Sequence, residues 1–166
     1  MRSKNVKTLK KLKNNAHPAN VYEKLKEDHR KVEKLFEKVL KTSEKNFDDR
    51  EPLFNEIYQE LSAHADAEEK IFYPVTEGEE KTKQLTLEAY EEHNLVKLLL
   101  EELKEMDSQS DVWMAKMKVL SEVVKHHVKE EEEELFPKAK KVIDKNLSRS
   151  MADEVEQEEE EFKKAG

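Results

Sequence analysis

Apolar residues recur every three or four positions in four long stretches of the chain, and that spacing predicts four amphipathic helices. The first stretch, from about 19 to 44, places Leu25, Val32, Phe36, Val39 and Leu40 on one face, with His29 on the same face between Leu25 and Val32. The second opens on Asp48, Asp49 and Glu51 with Pro52, a good helix start, and steps through Leu53, Ile57, Leu61, His64, Glu68 and Phe72 until Pro74. Gly78 falls in a short connection, after which Leu85, Ala89, His93, Val96, Leu100 and Leu103 form the third stripe. The DSQSD segment, Asp107 to Asp111, supplies turn and N-cap residues before the fourth stripe, Trp113, Met117, Leu120, Val124, His127, Glu131 and Leu135. Four histidines and two glutamates therefore lie on stripes that are otherwise apolar.

The stripes are also a repeat. HADAEEKIFYP begins at His64 and HVKEEEEELFP at His127; in both, glutamate follows four residues after the histidine and proline ten residues after it. A lone histidine precedes each copy, His29 before the first and His93 before the second, at offsets of 64 residues for the lone histidines and 63 for the HxxxE pairs. The expected fold is all-α, an up-down-up-down four-helix bundle made of two related helical hairpins.

Composition agrees with long helices. Charged residues make up 42% of the 166, hydrophobic residues 36%, and two glycines and four prolines are too few for a strand-rich fold with many turns. This length suits one domain with one core. The expected divisions are a basic arm over 1–18, ending at His17-Pro18, the bundle over 19–147, and an acidic tail over 148–166 read as a solvated or frayed helix. The net charge of −8 argues against nucleic acid and anionic membrane as main partners, although Lys4, Lys7, Lys10, Lys11 and Lys13 give the arm the opposite sign. The chain has no cysteine, which excludes disulfides, iron–sulfur clusters and thiol catalysis. No apolar run approaches the roughly 20 residues of a membrane span and the start lacks the apolar segment of a secretory signal, so the cytoplasm is the default expectation.

Any one histidine on an apolar stripe is ordinarily a satisfied core residue. Six polar residues in a repeated pattern are different, because residues four apart on a helix share a face and a buried carboxylate without a partner costs several kcal/mol. His29, His64, Glu68, His93, His127 and Glu131 are therefore the expected metal ligands, all nitrogen and oxygen donors. Glu69 and Glu132 point about 100° away on the helical wheel and are expected to face solvent or to support the ligands from behind. His126 rivals His127, but only His127 matches His64 in its distances to glutamate and proline. His17 reads as a surface residue, and Trp113, Met114 and Met117 as packing. Tyr22, Tyr58, Tyr73 and Tyr90 are candidates for a hydrogen-bond donor or redox-active residue beside the metals, with packing the plainer reading of each.

The paired HxxxEE(x)4P elements with their upstream histidines resemble the hemerythrin-like, or HHE cation-binding, domain family over residues 20 to 140. The resemblance implies a non-haem di-iron centre: His29 and His64 on one iron, His93 and His127 on the other, Glu68 and Glu131 bridging, with an oxo or hydroxo bridge and solvent at the remaining corners. Manganese or zinc would fit the same donors. Oxygen-carrying hemerythrins use five histidines with HxxxH and HxxxxD elements, whereas both elements here are HxxxE. Four histidines, two bridging glutamates and one single-atom bridge fill about ten of the twelve positions around two six-coordinate metals, leaving about two open. That favours a centre where hydrogen peroxide, dioxygen or nitric oxide binds and reacts, with catalase-like dismutation among the expected activities. An oxygen or iron sensor without turnover is the alternative. A ferritin-like oxidase is disfavoured, since that site uses Glu-x-x-His motifs and lone glutamates.

Overall fold

Asn20 starts the first helix by accepting the Glu23 backbone N–H with its side chain at 3.0 Å, and the helix runs Val21–Leu40 (α1). It ends four residues before the expected boundary. The backbone there tightens to i→i+3 bonds and the Thr42 hydroxyl takes the Val39 carbonyl at 2.6 Å. This computed structural model describes residues 17–166, so nearly all of the expected basic arm lies outside the described residues. A 3₁₀ turn, Phe47–Asp49, leads into α2, Arg50–Ala67. Then follow α3, Tyr73–Glu77; α4, Glu80–Lys104; α5, Asp111–Glu130; α6, Phe136–Ala139; and α7, Lys145–Ala165. Ser110 caps α5 through the Trp113 N–H and Asp144 caps α7 through the Leu147 N–H. The described residues contain no strand, and the all-α helical bundle is as expected.

The four expected helices are α1, α2, α4 and α5, with α1 packed on α2 and α5, and α4 on α5. Two apolar clusters fill the bundle. One lies toward the α1–α2 and α4–α5 turns and includes Phe36, Phe54, Ile57, Leu100, Trp113 and Leu120; the other, at the opposite end, includes Leu25, Phe72, Tyr73, Leu135, Phe136 and Met151. Buried Arg50 ties the first end together, donating to the Thr42 hydroxyl and to the Ser108 carbonyl, both at 2.9 Å. The histidines and glutamates of the repeat form a polar layer between the two clusters.

Two departures from the sequence reading shape that layer. The second and fourth helices do not stop at Pro74 and Pro137. Each widens into a π turn, Glu68–Phe72 and Glu131–Leu135, and continues into α3 and α6. The Tyr73 N–H bonds to the Glu68 carbonyl and the Phe136 N–H to the Glu131 carbonyl, five residues back. The wider turn moves the carbonyl that the proline ring would otherwise strike, so the helix passes through the proline. It also carries the residue five positions on back over the glutamate.

The acidic tail is not a solvated helix. Ser148, Met151, Ala152, Val155 and Glu159 form a buried stripe along α7, which lies against α1, α2 and the first π turn. Apolar burial along that stripe outweighs the self-repulsion of the acidic outer face, which is why the segment docks. None of the helices described is long and apolar enough to cross a membrane.

Candidate metal centre

All six expected ligands are buried, and the bundle brings them to one place. His29 comes from α1, His64 from α2, His93 from α4 and His127 from α5, while Glu68 and Glu131 open the two π turns. His29 and His64 lie side by side with ring centroids 4.9 Å apart, and the Nε2 atoms of His93 and His127 are 3.2 Å apart. Each carboxylate reaches one histidine of each pair. Glu68 Oε2 is 3.3 Å from His64 Nε2 and 3.2 Å from His93 Nε2, and Glu131 Oε2 is 3.2 Å from His29 Nε2 and 3.6 Å from His127 Nε2.

The opposite nitrogen of every ring faces an acid. His29 Nδ1 donates to Glu132 at 2.9 Å, His93 Nδ1 to Glu69 at 3.0 Å and His127 Nδ1 to Glu92 at 2.6 Å, while His64 Nδ1 lies 3.5 Å from Asp28. A proton held at Nδ1 leaves the Nε2 lone pair directed at the centre, the arrangement of imidazoles prepared to bind a metal. The supporting acids obey the repeat: Asp28 and Glu92 each precede a lone histidine, and Glu69 and Glu132 each follow the glutamate of an HxxxE element. Arg30 holds Glu132 at 2.9 Å and Lys97 holds Glu69 at 2.7 Å. Of the two readings of Glu69 and Glu132, the structure selects support of the ligands. The acids ahead of the lone histidines were missed, although their repetition was a usable signal.

Of the four candidate tyrosines, Tyr73 is the one whose hydroxyl reaches the centre. Its hydroxyl donates to Glu131 Oε1 at 2.6 Å and stands 3.2 Å from Glu68 Oε2, 3.1 Å from His93 Nε2 and 3.5 Å from His127 Nε2. Of the remaining tyrosines, Tyr22 belongs to the apolar end cluster, Tyr58 bonds Glu101 at the surface and Tyr90 packs edge-on against Tyr73. His17 and His126 are exposed, and Trp113 and Met117 are core residues, as expected.

Acids and histidines packed this closely shift one another's pKa values. Burial works against charge on His29, but the facing carboxylates of Glu131 and Glu132 outweigh it and raise its pKa to about 10; His93, buried but facing Glu68 and Glu69, rises to about 9. Burial likewise opposes ionisation of Glu131, yet the charge of His127 and the contacts with His29 hold it well below the carboxylate range. Burial first, and then the two glutamates, push the Tyr73 hydroxyl well above 10. Even so, His29 Nε2, His64 Nε2, Glu68 Oε1 and Glu131 Oε2 are buried without a hydrogen-bond partner. Buried polar atoms left in that state are costly, and a cation satisfies all of them together. Contacts of 3.2–3.6 Å among the inward donors are close to the spacing of neighbouring ligands around a metal with bonds of about 2.0–2.2 Å. The residues present therefore fit a metal.

A void of about 20 Å³ lies against the four histidines, bounded by Val32, Leu61, Val96, Val124 and Val128. An open groove of about 240 Å³ between α1 and α5 shares His29, Val124 and Val128 with it and carries Glu33, Glu37, Ser121 and Lys125 on its walls.

The comparisons with known proteins agree with this geometry. The model of the hemerythrin HHE cation-binding domain matches residues 20–139. A protein named DNA nickase from Nostoc sp. is 32% identical over 149 residues, covering 88% of this chain and 39% of the relative. An uncharacterized hemerythrin-like protein of Schizosaccharomyces pombe is 29% identical over 132 residues, covering 78% of this chain and 64% of its own. The chain thus spans less than two thirds of either relative's length. Among solved structures, a hemerythrin HHE cation-binding domain-containing protein from Mycobacterium kansasii superposes with a TM-score of 0.77 at 24% identity, over 88% of both chains, and so shares the fold. With both HxxxE elements and both lone histidines inside the matched span, the chain belongs to the hemerythrin HHE cation-binding domain family.

Proposed function

We propose that this protein is a non-haem di-iron protein that binds and turns over small oxidants, hydrogen peroxide first among them, with dioxygen and nitric oxide as related ligands. The observation that carries the reading is the pair of carboxylates, each in reach of one histidine from each half of the repeat. His29 and His64 would hold one ion, His93 and His127 the other, with Glu68 and Glu131 between them, and the Tyr73 hydroxyl stands beside the second pair. A pair of redox-active ions bound there would supply the two-electron exchange that 2 H₂O₂ → 2 H₂O + O₂ requires.

The chain's own groups support that chemistry in three ways. Glu69, Glu92 and Glu132 fix the ring orientations and raise ligand basicity. The Tyr73 hydroxyl keeps a proton within 2.6 Å of Glu131 Oε1, available to a substrate oxygen arriving between them. The void of about 20 Å³ is the size of a single water-sized molecule, so Val124 and Val128 restrict entry to very small ligands.

The test is oxygen evolution from hydrogen peroxide by iron-loaded protein, followed with an oxygen electrode. Sustained evolution above free iron supports turnover. Stoichiometric spectral change with peroxide, dioxygen or nitric oxide and no evolution moves the assignment to binding or sensing.

The Nostoc relative's name supports a second reading, DNA nicking. All 39 acidic residues of this chain fall after position 16, with 25 of its 31 basic ones, and charge of that sign opposes docking on phosphates. We therefore assign the bundle to small molecules; supercoiled plasmid incubated with the loaded protein should stay intact.

A further inference from the structure

The last helix is dense in glutamate, yet only one of Glu156, Glu158, Glu159, Glu160 and Glu161 is buried. That residue is Glu159, on the stripe that docks against α1 and α2, and beyond the family's matched span of 20–139. Glu159 Oε2 accepts from Lys24 Nζ at 2.6 Å. The same ammonium, itself buried, donates to both oxygens of Asp28 at 2.6 and 2.7 Å. Asp28 Oδ2 lies 3.5 Å from His64 Nδ1, and Glu159 Oε1 lies 3.9 Å from the same nitrogen; neither Glu159 Oε1 nor His64 Nδ1 has a hydrogen-bond partner.

Resting on the metal reading above, we infer that Glu159 is a positioning residue for His64: it pins Lys24, which holds Asp28 against the His64 ring. Acceptor oxygens of Asp28 and Glu159 both face Nδ1, and acceptors there favour the tautomer with the proton at Nδ1 and Nε2 free for the metal. The ammonium already stands between the carboxylates, so this cluster is not a second cation site. The device exists in one half only. His127, the counterpart of His64, leans on Glu92, whose other neighbour is His126, 63% exposed; the residue 64 after Lys24 is Glu88. The C-terminal helix therefore covers the Nδ1 side of His64, whereas the Nδ1 side of His127 meets a partly exposed Glu92, and the two halves are unequal.

The test compares Glu159→Gln, Asp28→Asn, the double variant and Glu158→Gln by anaerobic titration with ferrous iron, with ¹⁵N shifts of the His64 ring in the metal-free proteins. Glu158 binds Lys70 on the outer face and serves as the control. The expected result is that E159Q and D28N each weaken one of two binding events by about 10–100-fold, as supporting partners do. The double variant should be no worse than D28N, the ¹⁵N shifts should report loss of the Nδ1–H tautomer, and E158Q should behave as wild type. Wild-type affinity for both irons in folded E159Q, or additive effects in the double variant, overturns the inference. Should E159Q not fold, D28N alone decides, because a D28N protein with two unaltered binding events breaks the chain between Lys24 and His64. A wild type that takes up no metal removes the metal reading, and this role with it, whereas unaltered variants beside a metal-binding wild type remove this role alone.

Discussion

Tyr73 and Phe136 stand at the same place in the two repeats, five residues after Glu68 and Glu131, and only Tyr73 carries a hydroxyl. Tyr73 points that hydroxyl among His93, His127 and the two glutamates, while Phe136 lies parallel to the His29 ring at 6.2 Å. The sequence repeat is nearly twofold, but its chemistry is not: one histidine pair gains a phenol and the other a hydrocarbon wall.

Tyr73→Phe makes the halves alike. In the metal-free protein it removes a hydrogen bond to buried Glu131, and bonds to charged groups are worth about 1.5–3 kcal/mol. The expected outcome is a loss of that size in denaturant melts. In iron-loaded protein, oxygen evolution from hydrogen peroxide should be slower in Y73F, which lacks the hydroxyl proton.

Removing a carboxylate shared between the two histidine pairs separates a metal site from a merely polar core. Glu131→Leu strips one side of a buried network with His29, His127 and the Tyr73 hydroxyl, so the metal-free protein should lose about 3–5 kcal/mol on that account alone, and iron content is what separates the two cases. In a metal centre it should cost iron content and the melting temperature of the loaded protein together. Elemental analysis and calorimetry of the same preparation decide it.

The supporting acids predict a graded effect. Glu132→Gln keeps the shape but weakens the hold on His29 Nδ1 and frees Arg30. Iron affinity should fall by about 10–100-fold with the fold unchanged, measured by chelator competition.

The pH dependence of the metal-free protein follows from the raised histidines. His29 and His93 have folded pKa values of about 10 and 9 against 6.5 unfolded. Their contribution is fully present below about 6.5 and is lost as pH rises through 9 to 10. The melting temperature of the metal-free protein should therefore fall between pH 7 and 10. In iron-loaded protein those nitrogens carry metal instead of protons, and the same interval should be flatter.

The packed last helix makes its own demand. Met151→Ala removes a fully buried side chain, and truncations of this kind cost about 2–5 kcal/mol. A surface tail would show almost no change in the same denaturation experiment.

The four bundle helices and the six inward donors were legible because burial imposes a three-to-four spacing that any polar residue on the stripe must share. The π turns were not, since an i→i+5 bond leaves no residue signature beyond the prolines, which usually end a helix. The stripe of Met151, Ala152, Val155 and Glu159 was hidden by the surrounding acid and by a glutamate at a buried position. The role of Tyr73 depended on the π turn and was settled only in three dimensions.

The central claim is that His29, His64, Glu68, His93, His127 and Glu131 bind a pair of metal ions. The most direct measurement is iron per chain by elemental analysis after anaerobic loading and desalting, in wild type and in Glu68→Ala/Glu131→Ala. The account predicts about two irons in wild type and none retained in the double variant, as expected for a six-ligand pair of oxygen- and nitrogen-bound sites. Wild-type protein with no stoichiometric metal, or a double variant that holds as much, would contradict it.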